Sequence, residues 1–510
     1  MIHKNPLHLL LLLAAFSLTS CSGIPKTGGG GGGNGTATVS FTLVADTLPA
    51  NPSLLSFKVT ILSITLTPTS GTAQTFTPAS PIVVDLMRLQ SDTAFLGSLA
   101  NVPAGTYTVQ VSLSASNITF LNDTASNITV GTTVCPSNAF CSVALTAVGT
   151  PTISSTTFSF TASSGGQQGI ELDFKLNNAI TLTNGTLAVN FSPNAPNPGV
   201  FTAFNLPRTT PNLGANQLEL IEDFTGVVSL SGSSVTIKSQ TRGNLTVTES
   251  SSSFFDASPD GTICPSPATF KCVVNGQIAS VDAFLNSNGT LALKEFEPLT
   301  STQEDLVEGV VLIVPSLTQF VMAVTDENQA ATGSLIGNLN TGELLTVNLA
   351  TVPTLQPFLV DTKGLAVASI APGTLGNFAL QTDTSAIHPG QTIAVHVTSF
   401  TAPTNTTIAS AVVNTVTLRW SRFSSAVQTA SQVFTISGIP SYFNFVPGSL
   451  FEVQTFIGTA GADGVTNFDG VTDGNGLTPT TPPVGVRALF LENTNFSANP
   501  AFFAAKVRQH

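Results

Sequence analysis

Apolar residues recur at every second position through most of this 510-residue chain, and no stretch keeps a helical period for more than two turns. That restricts the fold to strands, because residues two apart share a face only in extended backbone. In TVSFTLVAD the apolar Val39, Phe41, Leu43 and Ala45 share one face, as do Tyr107, Val109, Val111 and Leu113 in YTVQVSLS. In GIELDFKL, Ile170, Leu172, Phe174 and Leu176 oppose Glu171, Asp173 and Lys175, which predicts a sandwich strand with one buried and one wet face. FKVTILSITL changes parity between Phe57, Val59, Ile61 and Leu62, Ile64, Leu66. Either this strand is buried on both faces or, as we favour, a bulge at Ile61-Leu62 shifts its register. Asn184-Gly185 between two alternating runs predicts a tight hairpin, and Pro103-Ala104-Gly105 a turn into the next strand.

The length suffices for two to four domains with separate cores. From Pro193 to Asn216 the chain is rich in Pro, Asn and Gly, which reads as a linker after an N-terminal sandwich. A weak repeat follows: DFTGVVSLSGSSVTIKS, DLVEGVVLIVPSLTQFVMAV and GTLGNFALQTD each open on a glycine-led pair of strands. NGQIASVDAFLNSNGTLAL, NTGELLTVNL and HPGQTIAVHV come later in these units. Gly226 and Gly309 lie 83 residues apart, enough for one small closed barrel per unit. A long insertion around Gly458 to Pro483 is expected in the third unit.

At the N-terminus, Met-Ile-His-Lys precedes an apolar run from Leu7 to Leu18, the layout of a secretory signal. The run is shorter than the ~20 residues a spanning helix needs. Leu18-Thr19-Ser20-Cys21 resembles the lipobox of bacterial lipoproteins, which implies cleavage before Cys21 and a diacylglycerol on its thiol. The alternative is an ordinary signal with an incidental cysteine. Multiple acyl chains hold a protein stably on a bilayer where one does not. The run from Gly28 to Gly33 and its neighbours form a flexible tether, spanning roughly 20 Å over about fifteen residues. Ser22, where aspartate would signal inner-membrane retention, makes the resemblance favour the outer membrane or cell surface.

Only 9% of residues are charged while 42% are hydrophobic, so the chain is not a disordered one and its surface is expected to be rich in hydroxyls and amides. With 16 Lys plus Arg against 28 Asp plus Glu, and no basic cluster, nucleic acid is not an expected partner. Cys135 with Cys141 and Cys264 with Cys272 read as two local disulfides of an exported chain. A four-cysteine metal site is the competing reading, although zinc pairs are usually spaced more closely.

No catalytic constellation emerges, and no cofactor is expected. His388 and His396, placed on one predicted strand, would lie roughly 25 Å apart and cannot share a metal. There is no Gly-x-Ser-x-Gly, no His-Glu-x-x-His and no phosphate-binding glycine loop. Asp463, Asp469, Asp473 and Asn475 offer oxygen ligands for calcium, but their spacing fits a Gly/Asp-rich surface loop better. Trp420, between Arg419 and Arg422, could be a ligand platform flanked by donors, or barrel core with arginine stems packed over it.

The strands VSFTLVAD, VTILSITL and PIVVDLMRL with the turn in VPAGTYTVQVSL resemble an uncharacterised family of bacterial lipoprotein domains. That resemblance implies a β-sandwich similar to transthyretin or carboxypeptidase regulatory domains. HPGQTIAVHV and VGVRALFLENTNFSANPAFFAAKVRQH resemble another uncharacterised family, of OB-like β-barrel repeats on exported proteins. Neither transfers a catalytic residue. The expected organisation is a signal at 1–20, a tether at 21–36, a sandwich at 37–195, a linker at 196–217 and barrel units at 218–300, 301–368 and 369–510. The expected fold is thus all-β, a sandwich followed by two or three OB-like barrels. The expected function is a lipid-anchored, non-enzymatic envelope protein that contacts the membrane through its N-terminal lipid and binds a protein or glycan partner. The alternative is a structural or accessory subunit of an envelope assembly.

Overall fold

The computed structural model describes residues 35–509 apart from 47, 50, 146–151, 161–165, 192–198, 257–263, 265–267, 368–376, 405–406, 444–449, 459–463, 480–482 and 492–500. Cys21, the signal and the glycine run lie outside the described residues. What is described is nearly all β, as the alternation predicts.

The N-terminal module packs a four-stranded sheet on a six-stranded one. The first sheet orders Phe201–Leu206, Gly166–Lys175, Thr36–Asp46 and Ala94–Pro103; the second is built on the long pair Ser53–Pro68 and Gly105–Leu121. Their facing apolar residues, among them Phe41, Leu43, Phe57, Val109, Leu172 and Phe174, form one core. The parity change in Ser53–Pro68 is a bulge: the register to Gly105–Leu121 slips between Ile61 and Ser63, which turns Ile61, Ile64 and Leu66 all inward. Asn184 and Gly185, both at positive φ, join Ile180–Thr183 to Thr186–Val189 as a primed-type hairpin turn. The Pro- and Asn-rich segment is not simply a linker, because Phe201–Leu206 inside it adds an edge strand to the sandwich.

Three units of one topology follow. Their first, second, third, fourth and fifth strands are Gln217–Ser231, Ser234–Ser239, Gly243–Thr248, Ile278–Asn286 and Leu291–Pro298 in barrel 1. Barrel 2 uses Asp305–Ser316, Gln319–Asn328, Leu344–Leu349, Thr392–Thr401 and Ala409–Arg419. Barrel 3 uses Ser421–Thr429, Val433–Ser437, Phe451–Gln454, Val484–Leu491 and Ala501–Gln509. In each the spatial order is third-second-first-fourth-fifth, and the third strand meets the fifth in parallel, which makes a five-stranded Greek-key barrel of OB type. Barrels 2 and 3 close by continuous ladders, barrel 1 by the single pair Thr248 with Ala292.

This topology corrects the repeat boundaries. Barrel 2 runs to Arg419 rather than ending at 368, since HPGQTIAVHV supplies its fourth strand. The stretch around 458–483 is not an insertion either. It is the crossover between third and fourth strands that every unit has, and each crossover adds a short strand parallel to the fifth.

The two repeat glycines sit where first and second strands cross. A Cβ on Gly226 would overlap the Lys238 carbonyl, and one on Gly309 would come within 2.6 Å of the Ala323 oxygen. In barrel 3 the matching residue is Ser425, whose hydroxyl donates to the matching carbonyl, that of Ser437, at 2.6 Å. The site therefore takes either no side chain or one that bonds the oxygen. Gly309→Ala is expected to destabilise by about 2 kcal/mol through overpacking, measured by denaturant unfolding. Wild-type stability in that variant would show that the strands do not approach so closely.

Candidate functional site

The turn Arg88–Gln90, followed by Ser91, Asp92 and Thr93, leaves the sandwich fully buried and reaches all three barrels. Arg88 donates to Glu308 of barrel 2 at 2.9 Å. The Thr93 carbonyl accepts from Arg242 of barrel 1. The Asp92 carboxylate accepts from Arg422 of barrel 3 at 2.7 Å, and its backbone oxygen accepts from Arg508. Burial pushes the Asp92 carboxyl up, but Arg422, Arg242 and their neighbours outweigh that and hold it at about 2.

Around this turn lie most of the arginines of the chain. All seven arginines are described, and none has a side chain more than 13% exposed. Asp223 of barrel 1 bonds Arg422 and Arg419 and lies 3.3 Å from Lys363, with no accessible surface of its own. Glu222 takes Arg487 and Lys506 of barrel 3, each at 3.2 Å. Arg419 also pairs with Asp361, and Arg242 stacks 4.6 Å over the Phe224 ring.

The barrels divide the charges by sign at matched positions. Val281, Val395 and Val486 pair with Phe296, Val416 and Val507, which aligns the fourth and fifth strands of the three units. One residue after those valines stand Asp282, His396 and Arg487. Flanking their partners stand Glu295 and Glu297 in barrel 1, Thr415 and Thr417 in barrel 2, Lys506 and Arg508 in barrel 3. One surface is thus acidic, one neutral and one basic. The neutral one forms a small cavity of about 30 Å³ lined by Leu306, His396, Thr415, Thr417 and Arg419, room for roughly one water.

Where sandwich, barrel 1 and barrel 3 meet, Glu171, Glu219 and Asp469 bring one carboxylate oxygen each within 4.8 Å of the others, a spacing that could hold a metal ion. Cations of the chain already serve them: Arg208 bonds Glu171 at 2.8 Å and Arg508 bonds Asp469 at 2.5 Å. Burial, then Asp469, pushes the Glu219 carboxyl up to about 8, so at neutral pH it keeps its proton. Two guanidiniums and one proton offset the charge of this cluster.

The residues singled out from sequence fare unequally. Trp420 is not a surface platform: it is completely buried, and its indole N–H donates to Asp361 at 3.2 Å, while Arg419 and Arg422 point into the ionic hub. Asp463 lies outside the described residues. Asp469 is buried against Arg508, whereas Asp473 accepts from the backbone of Asn475 and Gly476, so these oxygens do not converge on a calcium site. Cys135–Cys141 and Cys264–Cys272 are at disulfide distance. His388 lies in the turn before the strand that carries His396. Glu171 and Asp173, expected on a wet face, are fully buried, Glu171 beside Glu219 of barrel 1 and Asp469 of barrel 3 and Asp173 against Lys175.

The hub itself escaped the sequence reading. A signal for it existed in the placement of scarce arginines and acids inside otherwise apolar strands. A second feature also escaped, a groove of about 270 Å³ between the sandwich and barrel 2, lined by Thr119, Phe140, Ser142, Glu343, Thr404 and Ile408.

The class these features define is an all-β protein of one sandwich and three OB-type barrels locked by buried charge. Residues 36–193 match the model of a family described as Domain of unknown function (DUF4382), which places that domain on the sandwich. No curated protein and no solved structure matches the chain.

Proposed function

We propose that this chain is a lipid-anchored, non-enzymatic bacterial envelope protein whose rigid body binds an extended segment of an envelope protein or glycan. The observation that carries the reading is the groove between sandwich and barrel 2. Its walls come from two modules, and Thr119 donates across it to the Gly342 carbonyl at 2.8 Å. One wall includes Phe140–Ala144, a strand that among the described residues pairs only to Gly105–Leu121. A groove with exposed hydroxyls, a half-exposed phenyl ring and a nearby strand edge suits a chain-like ligand. The hub supports the same reading, since a groove between modules keeps its width only if the modules are fixed. The acyl anchor rests on Cys21 and the tether, as read from the sequence.

Two measurements test this. Intact-mass spectrometry of membrane-extracted protein should show an acylation gain that Cys21→Ala abolishes together with membrane retention. Purified protein should bind isolated cell-wall polymer or envelope proteins, and Ile408→Asp, at a position already exposed, should weaken that binding about ten-fold without changing stability. Undiminished binding by Ile408→Asp would remove the groove from the reading.

A further inference from the structure

We propose that the far end of barrel 2 is a second membrane contact, an apolar tip that docks onto the surface of a lipid bilayer. The inference rests on the anchored reading above, because the tether keeps the folded body close to a bilayer. Ile313, Leu317, Val352 and Leu380 are 53, 62, 66 and 77% exposed. They come from three loops that the backbone ties together. The first strand of barrel 2 pairs with the fourth as far as Val310, and one further step is held by Val311 with Gly390 and Gln391. Beyond that step the first strand leaves the fourth, while the second stays paired to Leu344–Leu349 as far as Gln319. Thr384 donates to the Leu317 carbonyl at 3.0 Å, and Leu349 to the Thr318 carbonyl at 2.9 Å, which fixes the loops after Leu349 and around Leu380 beside the hairpin.

Leu380 is the informative residue. Its φ is 68°, a left-handed conformation that glycine or asparagine adopts at little cost and a branched side chain does not. Reciprocal backbone bonds with Phe358, Leu380 N–H to its oxygen and its N–H to Gln381, keep the segment so. The fold therefore holds a bulky apolar side chain outward, in strain, where it touches solvent.

The occupant follows from charge and exposure. Residues 312–322, 344–360 and 377–382 contain no Asp, Glu, Lys or Arg. The nearest acid in sequence, Asp383, lies three residues after Leu380 and accepts from the Ser385 N–H. A protein partner selects its site with pockets and paired polar groups, whereas the most exposed side chains here are aliphatic. Apolar side chains on an exposed, uncharged loop cluster suit insertion into the headgroup and acyl boundary. With a net charge of -12 on the chain, attraction to anionic lipid is not the source of affinity, so binding should be insensitive to salt.

Trp420 is the sole tryptophan and is wholly buried, so a second one introduced at the tip reports locally against a constant background. The full chain carrying Leu380→Trp is mixed with phosphatidylcholine vesicles whose acyl chains are brominated. The expected result is a blue shift and quenching of the new emission, unchanged by added salt. Addition of Leu317→Asp should lower vesicle-dependent quenching about ten-fold, and since Leu317 is exposed that change leaves folding intact. Solvent-like emission from Leu380→Trp on vesicles that have captured the protein would overturn the proposal. So would a blue shift without vesicles that grows with protein concentration, since the tip would then be covered by a second copy. An unacylated Cys21 with quenching intact would refute the anchor and leave the tip standing.

Discussion

Asp223→Asn is expected to lower the free energy of unfolding by about 3–5 kcal/mol and to split one unfolding transition into at least two. Asp223 lies at φ 50°, where asparagine is also tolerated, so the substitution removes charge and leaves backbone and shape alone. Its carboxylate bonds Arg422 and Arg419, accepts from Ser280 at 3.0 Å and faces Lys363, with no accessible surface left. Burial pushes that carboxyl up, yet Lys363, Arg419, Arg422 and Arg487 hold it well below the usual carboxylate range. Deprived of it, guanidiniums from barrels 2 and 3 stay buried without their shared anion, the costly half of a broken pair. Because those arginines connect different modules, their loss should uncouple barrel 1 from its neighbours before any barrel melts. Calorimetry together with denaturant unfolding checks both effects, with Glu343→Ala on the groove rim expected within about 0.5 kcal/mol of wild type. A single transition of unchanged midpoint in Asp223→Asn would mean that apolar contacts alone hold the modules together.

What could be read from the sequence was local, and what could not was remote. Period-two alternation gave the strands, the parity change in FKVTILSITL gave the bulge at Ile61, and Asn184-Gly185 gave its hairpin. The glycines 226 and 309 gave the repeat because each meets a carbonyl in the very next strand. The barrel 2 boundary went wrong because its fourth strand returns only after the long crossover from 350 to 391, with closure invisible until then. The alternation of GIELDFKL correctly separates the faces, but it cannot say what covers the polar one. Glu171 is covered by Arg208 and by a strand of barrel 1, and Asp92 meets Arg422 from 330 residues away. Trp420 between two arginines reads as core or platform, with core the commoner case, because both share that local pattern; its burial and its bond to Asp361, 59 residues upstream, distinguish them.

The second large effect is on pH. Three carboxyls of the hub sit above the usual range near 4.5: burial, then Asp469, pushes Glu219 to about 8; burial, then Asp361, pushes Glu297 to about 8; and burial, then Asp282, pushes Glu295 to about 10. In each case the folded chain binds the proton more tightly than the unfolded chain does. The stability this gives is full below about pH 4.5 and is lost as pH rises to the folded values. The paired acids act in the opposite sense. Asp92 and Asp469, each held at about 2, contribute stability that is present above about pH 4 and lost as pH falls toward 2. The two sets leave maximal stability on the acid side of neutrality, with a decline toward alkaline pH that an ordinary exposed-acid surface would not give. Glu219→Gln keeps the neutral shape and removes the titration. It should be close to wild type near about pH 4.5 and more stable than wild type above about pH 8, by roughly 4 kcal/mol, the linkage value of a carboxyl whose burial penalty Lys506 and Arg508 already offset in part. Urea unfolding of both proteins across that range decides it: parallel curves would show that Glu219 is ionised in the folded chain, with Lys506 and Arg508 balancing its charge.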